Sequence, residues 1–227
     1  MATLPSEPPN TARDFYRECM IQAFHHTGLF APQVGRSAAD VVETPQFAMI
    51  MRECPVGSLD AARRIGDMVS VHLDGVPNQP GPWWRELCAY DRSYFMQVAT
   101  TQQGPPANRP RRGVSALCAT FKWNMPELVK RLETGDAIAE DLHRNITLLF
   151  ARGRDGNVRV VEVGPPVEKV FRATNGLRTT EQIASVAEID IAEVQKIIVA
   201  LAEIGAVEAA KNQDQMLEAI ERQSRNG

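Results

Sequence analysis

Residues 100–112, near the middle of the chain, contain no large apolar side chain. A segment of this composition cannot bury enough apolar surface to pack as an element of its own, so it predicts a linker. Its Pro- and Arg-rich part spans residues 104–112. We therefore predict a mostly helical N-terminal domain over residues 1–103, a second domain over residues 113–210 and a polar C-terminal tail over residues 211–227.

The composition is that of a folded chain outside the membrane. With 227 residues and 44% apolar content, the chain can build one large core or two small ones. Its longest apolar stretches fall far short of the roughly 20 residues that a membrane span requires. The first ten residues lack the basic start and the apolar segment of a secretory signal. The sequence therefore predicts a soluble, cytoplasmic protein, and its net charge of −3 predicts no general attraction for nucleic acid or anionic membranes.

The N-terminal domain is predicted to be helical from the spacing of its apolar residues. After a Pro-rich bend, a pattern with steps of three and four residues, apolar except for one Asp, runs through Trp84, Leu87, Cys88, Asp91, Phe95 and Val98. This spacing describes an amphipathic helix with aromatic side chains on one face.

Residues 146–209 carry a dense series of turn and cap signals. Asp155-Gly156, a dipeptide suited to a tight turn, separates two apolar runs and predicts a β-hairpin over residues 147–163. Gly205 ends the last helix that follows, and residues 206–209 return as a short strand. Three helices are predicted between hairpin and return strand, from these start or cap signals: Pro165 or Pro166, Thr179 with Gln182, and Asp190 with Glu193.

This order of elements indicates a winged-helix-like unit with a small antiparallel sheet. Together with the helical N-terminal region, it predicts an α+β fold class.

The sequence carries none of the common local signatures of nucleotide binding, of nucleophilic hydrolysis or of zinc hydrolysis. The pair His25-His26 is the most metal-like feature, but adjacent residues of a helix point roughly 100° apart and cannot easily share one ion. The four cysteines are about 30 residues apart, without a Cys-x-x-Cys pair, which indicates reduced, structural thiols. The missing motifs weaken an enzyme assignment without excluding it. We predict a non-catalytic chain, with a metalloenzyme that uses His25 or His26 as one rival.

A winged-helix outline also suggests a DNA-binding transcription regulator, the second rival. Residues 144–210 hold eight Lys or Arg against nine Asp or Glu, however, and the third helix offers Lys196 as its one cation. Binding to phosphates requires the opposite balance. The charge pattern therefore argues against nucleic acid as a partner.

Apolar residues cover a wider part of the third helix's surface than a single buried face requires. Its predicted core stripe is Ile191, Val194, Ile197, Ile198, Leu201 and Ile204. The arc is widened by Ala192, Val199 and Ala202 and interrupted by Gln195. Either the tail or the N-terminal region covers this surface, or the surface forms a groove beside a free strand edge to which an extended peptide adds. On the second interpretation the peptide-binding residues are Val158, Arg159, Val160, Val161, Glu162, Ala192, Gln195, Val199 and Ala202.

The segment from Val170 to Ala209 resembles the C-terminal half of a PqqD-like unit, the leader-recognition element of ribosomally synthesised peptides. The likeness rests on a helix, Asn175-Gly176 followed by Thr179, a short helix, and a longer helix that ends at Gly205 before a strand.

The larger layout resembles the TglI/MbnC-like partner subunits of multinuclear non-haem iron enzymes in peptide maturation. The segments that carry it are Ala-Tyr-Asp-Arg-Ser-Tyr-Phe at residues 89–95 and Phe-Lys-Trp-Asn-Met-Pro-Glu-Leu at residues 121–128.

This resemblance implies a required accessory subunit without a cofactor of its own. Iron is expected in a separate TIM-barrel enzyme with which the chain forms a heterodimer. The chain is expected to bind a leader or carrier peptide and present it for oxidative modification, including 3-thiaglutamate-type modification of cysteine. The resemblance also offers a contact surface made of aromatic residues, for which burial in the core is the alternative: Trp83, Trp84, Tyr90, Tyr94 and Phe95.

Overall fold

A computed structural model of the chain describes residues 10–30, 40–75, 79–104 and 108–208. Helices predominate in these ranges, and the strands form small antiparallel sheets, so the predicted α+β fold class is confirmed. The more specific winged-helix assignment stays a prediction. Within the same ranges, no helix has both the length and the apolar content needed to cross a membrane.

The chain divides into two compact units. The helical unit comprises residues 1–102 and 121–146, and the sheet unit comprises residues 103–120 and 147–227. Residues 121–146 therefore group with the N-terminal helices, although the sequence predicted them within the second domain. The reason is an amphipathic helix in this segment whose apolar residues Met125 and Leu128 are buried in the helical unit.

The helical unit is built around one buried helix. Its α-helices are α1 (Asn10–Ala23), α2 (His25–Phe30), α3 (Pro45–Glu53), α4 (Leu59–Asp74), α5 (Trp84–Ala99) and α6 (Met125–Thr134), with short 3-10 turns at Asp40–Glu43 and Glu140–Leu142. Helices α1, α2, α4 and α6 all contact α5. Most side chains of α5 are consequently enclosed, including polar ones such as Asp91 and Gln97.

The aromatic residues considered as a contact surface lie in this core instead. Trp83, Trp84, Tyr90 and Phe95 are buried, and Tyr94 is half-buried. Because α5 is covered from several sides, aromatic residues all around it are removed from solvent. The alternative of core burial is therefore the one that the structure supports.

The sheet unit holds the remaining elements. They are β1 (Arg111–Arg112), β2 (Leu117–Phe121), β3 (Ile146–Arg152), β4 (Val158–Glu162), α7 (Pro165–Ala173), α8 (Thr180–Ala187), α9 (Ile191–Glu203) and β5 (Val207–Glu208). Strands β3 and β4 form the predicted hairpin, with Leu149 opposite Val161. Strand β1 pairs with β5, and a second sheet has the order β2-β3-β4.

Part of the predicted linker is thus a strand. Arg111 and Arg112 pair with Glu208 and Val207 of β5, and Arg111 forms an ion pair with Glu208. The Arg112 guanidinium carbon lies 5.8 Å from the centre of the Phe171 ring. Strand pairing uses backbone groups, so a short strand can form without apolar side chains, and the composition argument could not detect it.

The predicted starts of the three C-terminal helices are confirmed, with Pro165 and Pro166 in the first turn of α7, but the cap of α9 is formed by Asp190 alone rather than by Asp190 with Glu193. Thr179 and Gln182 form a complete capping box for α8, and the Asp190 carboxylate accepts a hydrogen bond from the Ala192 amide at the start of α9. Gly205, which follows α9, has a φ of +80°, a conformation that other residues adopt only with strain.

The predicted core stripe of α9 is correct in its centre and wrong at its start. Val194, Ile198 and Leu201 are buried, and Ile197 and Ile204 pack partly against the same core. Ile191 remains 38% exposed. It is the first residue of the helix, so only part of a turn lies beside it to cover it.

Candidate functional site

Strand β4 is an edge strand. In the sheet order β2-β3-β4, β3 pairs along one side of β4, and no strand of the described ranges pairs along its other side. An open edge presents backbone donors and acceptors to which a further extended chain can add. The predicted residues Val158 to Glu162 make up this strand.

Two backbone hydrogen bonds establish which groups of β4 point outward. The Gly153 amide donates to the Asn157 carbonyl at 2.8 Å, and the Val163 amide donates to the Thr147 carbonyl at 2.9 Å. In an antiparallel pair, hydrogen-bonded residue pairs alternate with non-bonded ones. Every second pair counted from Gly153–Asn157 is therefore hydrogen-bonded, including Ala151 with Arg159 and Leu149 with Val161.

The same alternation assigns every residue of β4. Arg159 and Val161 direct their amides and carbonyls toward β3, whereas Val158, Val160 and Glu162 direct theirs away from it. At Val158 and Val160 the open edge therefore presents amide donors and carbonyl acceptors at two-residue spacing.

The two faces of β4 differ in what lies beneath them. Leu149 and Ala151 of β3 are buried in the core formed with the three helices, and directly opposite residues share a face. Val161 and Arg159 therefore lie on the helix-facing side. Val161 is nevertheless 39% exposed, which leaves an apolar position uncovered beside the open edge.

Arg159 bonds to the turn of the hairpin, at the start of β4. Its guanidinium donates to both carboxylate oxygens of Asp155, at 3.0 and 2.9 Å. Asp155 also accepts hydrogen bonds from Asn157, and these contacts, with Arg159 first, lower the pKa of Asp155 to about 2. The Asp155 carboxylate is therefore charged at neutral pH and bonded to both Asn157 and Arg159.

The predicted residues of α9 lie on the less covered side of that helix. Gln195, Val199 and Ala202 are half-buried, and Ala192 is exposed. Helix α9 and β4 border one core, since Ile197 of α9 and Val163, directly after β4, both pack against it. The structure thus places the nine predicted residues on two elements of the same unit, all at least partly accessible.

A second site, in the helical unit, was not found from the sequence. Asp91 of α5 is fully buried, and its two carboxylate oxygens face residues at the start of α2. Oδ1 lies 2.8 Å from His26 Nδ1, and Oδ2 accepts hydrogen bonds from the Thr27 amide at 2.9 Å and the Thr27 hydroxyl at 2.6 Å. The other imidazole nitrogen, His26 Nε2, lies 3.5 Å from a carboxylate oxygen of Glu133 on α6.

These contacts raise the pKa of His26. Burial by itself lowers that pKa, but the hydrogen bond and charge of Asp91, assisted by Glu133, outweigh it. A histidine whose pKa is shifted by a specific charged partner is a candidate for a functional role. The only sequence signal was an Asp inside the predicted helix, and its partner is 65 residues away along the chain.

The histidines and thiols have limited capacity for metal or covalent chemistry. Across the described ranges, no group of three or more His, Cys, Asp or Glu side chains could hold a metal ion. The rings of His25 and His26 are 5.6 Å apart, and His26 is engaged with Asp91. Burial raises the pKa of the Cys88 thiol to about 12 and of the Cys118 thiol to about 11, so both stay protonated at neutral pH and are weak nucleophiles.

No protein-family model matches the sequence, and no curated protein matches it either.

Proposed function

We propose that this chain is a non-catalytic partner subunit that binds the leader or carrier peptide of a ribosomally synthesised peptide. The observation that carries the proposal is the open edge of β4, with its exposed Val161, directly followed by the three helices α7 to α9. The PqqD-like resemblance rests on the same order of elements along the chain: α7, Asn175-Gly176, α8, α9 and β5.

The proposed mode of binding is strand addition. The peptide lies extended along β4 and exchanges hydrogen bonds with the backbone of Val158 and Val160. Peptide side chains on the helix-facing side then lie beside Val161 and toward the half-buried positions Gln195, Val199 and Ala202 of α9. Backbone bonds supply sequence-independent affinity, and the side chains beside Val161 supply selectivity.

The proposed partner is an iron-dependent TIM-barrel enzyme with which the chain forms a heterodimer. In this proposal the iron and the oxidative chemistry, for example the modification of cysteine toward 3-thiaglutamate, belong to the enzyme, and this chain carries no cofactor. Its contribution is to hold the leader so that the modified end of the peptide reaches the enzyme.

The partner proposal is tested by co-expression of the chain with the products of its neighbouring genes, followed by affinity purification and iron analysis. We expect a larger iron-loaded subunit to co-purify, while the chain alone elutes without metal. A chain that elutes by itself with stoichiometric iron would instead support the metalloenzyme alternative. Binding to duplex DNA that weakens with added salt would support a transcription regulator, although α9 carries Lys196 as its one cation, against the carboxylates of Glu193 and Glu203.

Replacing Val160 with proline is expected to weaken peptide binding about two- to twelvefold, the contribution of one backbone hydrogen bond. Proline lacks the amide hydrogen that Val160 directs to the open edge, and this position makes no ladder bond to β3. The measurement is fluorescence anisotropy with a labelled leader peptide. Val160→Ala keeps the amide and is the matched control; equal affinities of V160P and V160A, with the hairpin intact, would argue against strand addition at β4.

A further inference from the structure

His26 lies between two carboxylates that belong to different helices. On one side, Asp91 of α5 is fully buried and bonded to Nδ1; on the other, Glu133 of α6 has a half-exposed side chain 3.5 Å from Nε2. The His26 side chain itself is 16% exposed, so protons can reach it from solvent. One imidazole therefore connects three helices of the helical unit.

Each of these helices places titratable groups near the His26 imidazole. Besides Asp91, helix α5 places the Tyr90 ring 6.0 Å from the imidazole, and burial raises the pKa of this phenol, so it stays neutral. Helix α6 contributes Glu133, and α2 itself contributes His25, whose ring lies 5.6 Å away at the exposed surface. The charges nearest to the imidazole are thus the two carboxylates.

The two contacts respond differently to loss of a proton. Neutral His26 can keep its Nδ1 hydrogen on Asp91, because that carboxylate also holds Thr27 and fixes the tautomer. Its Nε2 then carries a lone pair that faces the Glu133 carboxylate, and attraction becomes repulsion. Protonated His26 attracts both carboxylates at once.

We propose that His26 forms a proton-dependent tie between α2 and α6: when charged it attracts the Glu133 carboxylate of α6, and when neutral it releases this contact. The direction of its pKa fits this role. Because the folded pKa lies above the ordinary value, the added stability is fully present below the unfolded pKa and is lost as pH rises through the folded pKa. This inference is independent of peptide binding, since every group involved lies in the helical unit.

The tie can be separated from general packing by two matched variants of α6. Glu133→Gln removes the charge that faces Nε2, whereas Glu127→Gln removes a charge on the same helix that faces Arg131, a permanently charged partner. The full chain would be titrated by NMR, with the His26 imidazole resonances giving its pKa. Backbone amide protection factors of α6 would be recorded over the same pH range.

We expect the pKa of His26 to fall in E133Q and to stay unchanged in E127Q. In the wild type and in E127Q, protection of α6 should drop about twofold to fivefold as pH rises through the His26 titration, the change expected from one partly exposed charge pair. In E133Q this step should vanish. An unchanged His26 pKa in E133Q, or a wild-type titration without any step in α6 protection, would overturn the proposal.

Discussion

Replacing Asp91 with alanine is expected to lower the free energy of unfolding of the helical unit by about 3–5 kcal/mol, the usual cost of removing one partner of a buried charged pair. The substitution removes the acceptor of the Thr27 amide, the Thr27 hydroxyl and His26 Nδ1 together. Thr27 is fully buried, so its amide loses its acceptor away from solvent, whereas its hydroxyl can still donate to the Phe24 carbonyl at 3.3 Å.

The three tryptophans of the chain, Trp83, Trp84 and Trp123, all belong to the helical unit, so fluorescence during urea unfolding reports on this unit. Asp67→Ala is the matched control, because Asp67 pairs with Arg92 at the surface and its loss should cost about 0–1 kcal/mol. Asp91→Asn should lie between the two, since its amide oxygen can still accept a hydrogen bond. Equal effects of D91A and D67A would show that the buried contacts contribute nothing beyond a surface pair.

The second large effect is expected at Gly205, at the end of α9. A Cβ added there would lie 2.3 Å from the Arg152 carbonyl oxygen and 3.0 Å from the Gly153 Cα, both backbone atoms of the β3 end of the hairpin. Because the φ of +80° is also unfavourable for alanine, Gly205→Ala combines backbone strain with overpacking. We expect it to destabilise the sheet unit by about 2–5 kcal/mol.

Gly156 supplies the matched control for this substitution. Its φ of +81° is nearly the same, but the nearest atom to an added Cβ is an Arg152 guanidinium nitrogen at 3.9 Å, which is ordinary contact. Gly156→Ala should therefore show the strain alone, about 1–2 kcal/mol. The stability of both variants is measured by amide exchange of β3, β4 and α9 in the full chain. If G205A is no less stable than G156A, the close approach of the end of α9 to the hairpin would be refuted.

The sequence was sufficient for features that depend on neighbouring residues. The hairpin followed from Asp155-Gly156 between apolar runs, and the helix starts followed from Thr179 and Asp190. Each signal acts within a few residues, through turn geometry or a cap bond, so no tertiary information was needed.

Features that depend on distant residues could not be predicted in this way. The pairing of Arg111 with Glu208 joins positions 97 apart, and the Asp91–His26 contact joins positions 65 apart. Neither leaves a local pattern, since both arise only after the elements have packed. The open edge of β4 is an intermediate case: the sequence predicted the strand, but only the sheet order could show which side lacks a neighbour.

The measurement that tests the central claim most directly is amide exchange of the full chain, with and without the short leader peptides encoded by neighbouring genes. Strand addition at β4 predicts new protection at Val158 and Val160, whose amides point outward, and little change at Arg159 and Val161, which already bond to β3. Protection that appears on β2 instead, or that does not alternate along β4, would contradict the proposed peptide-binding edge.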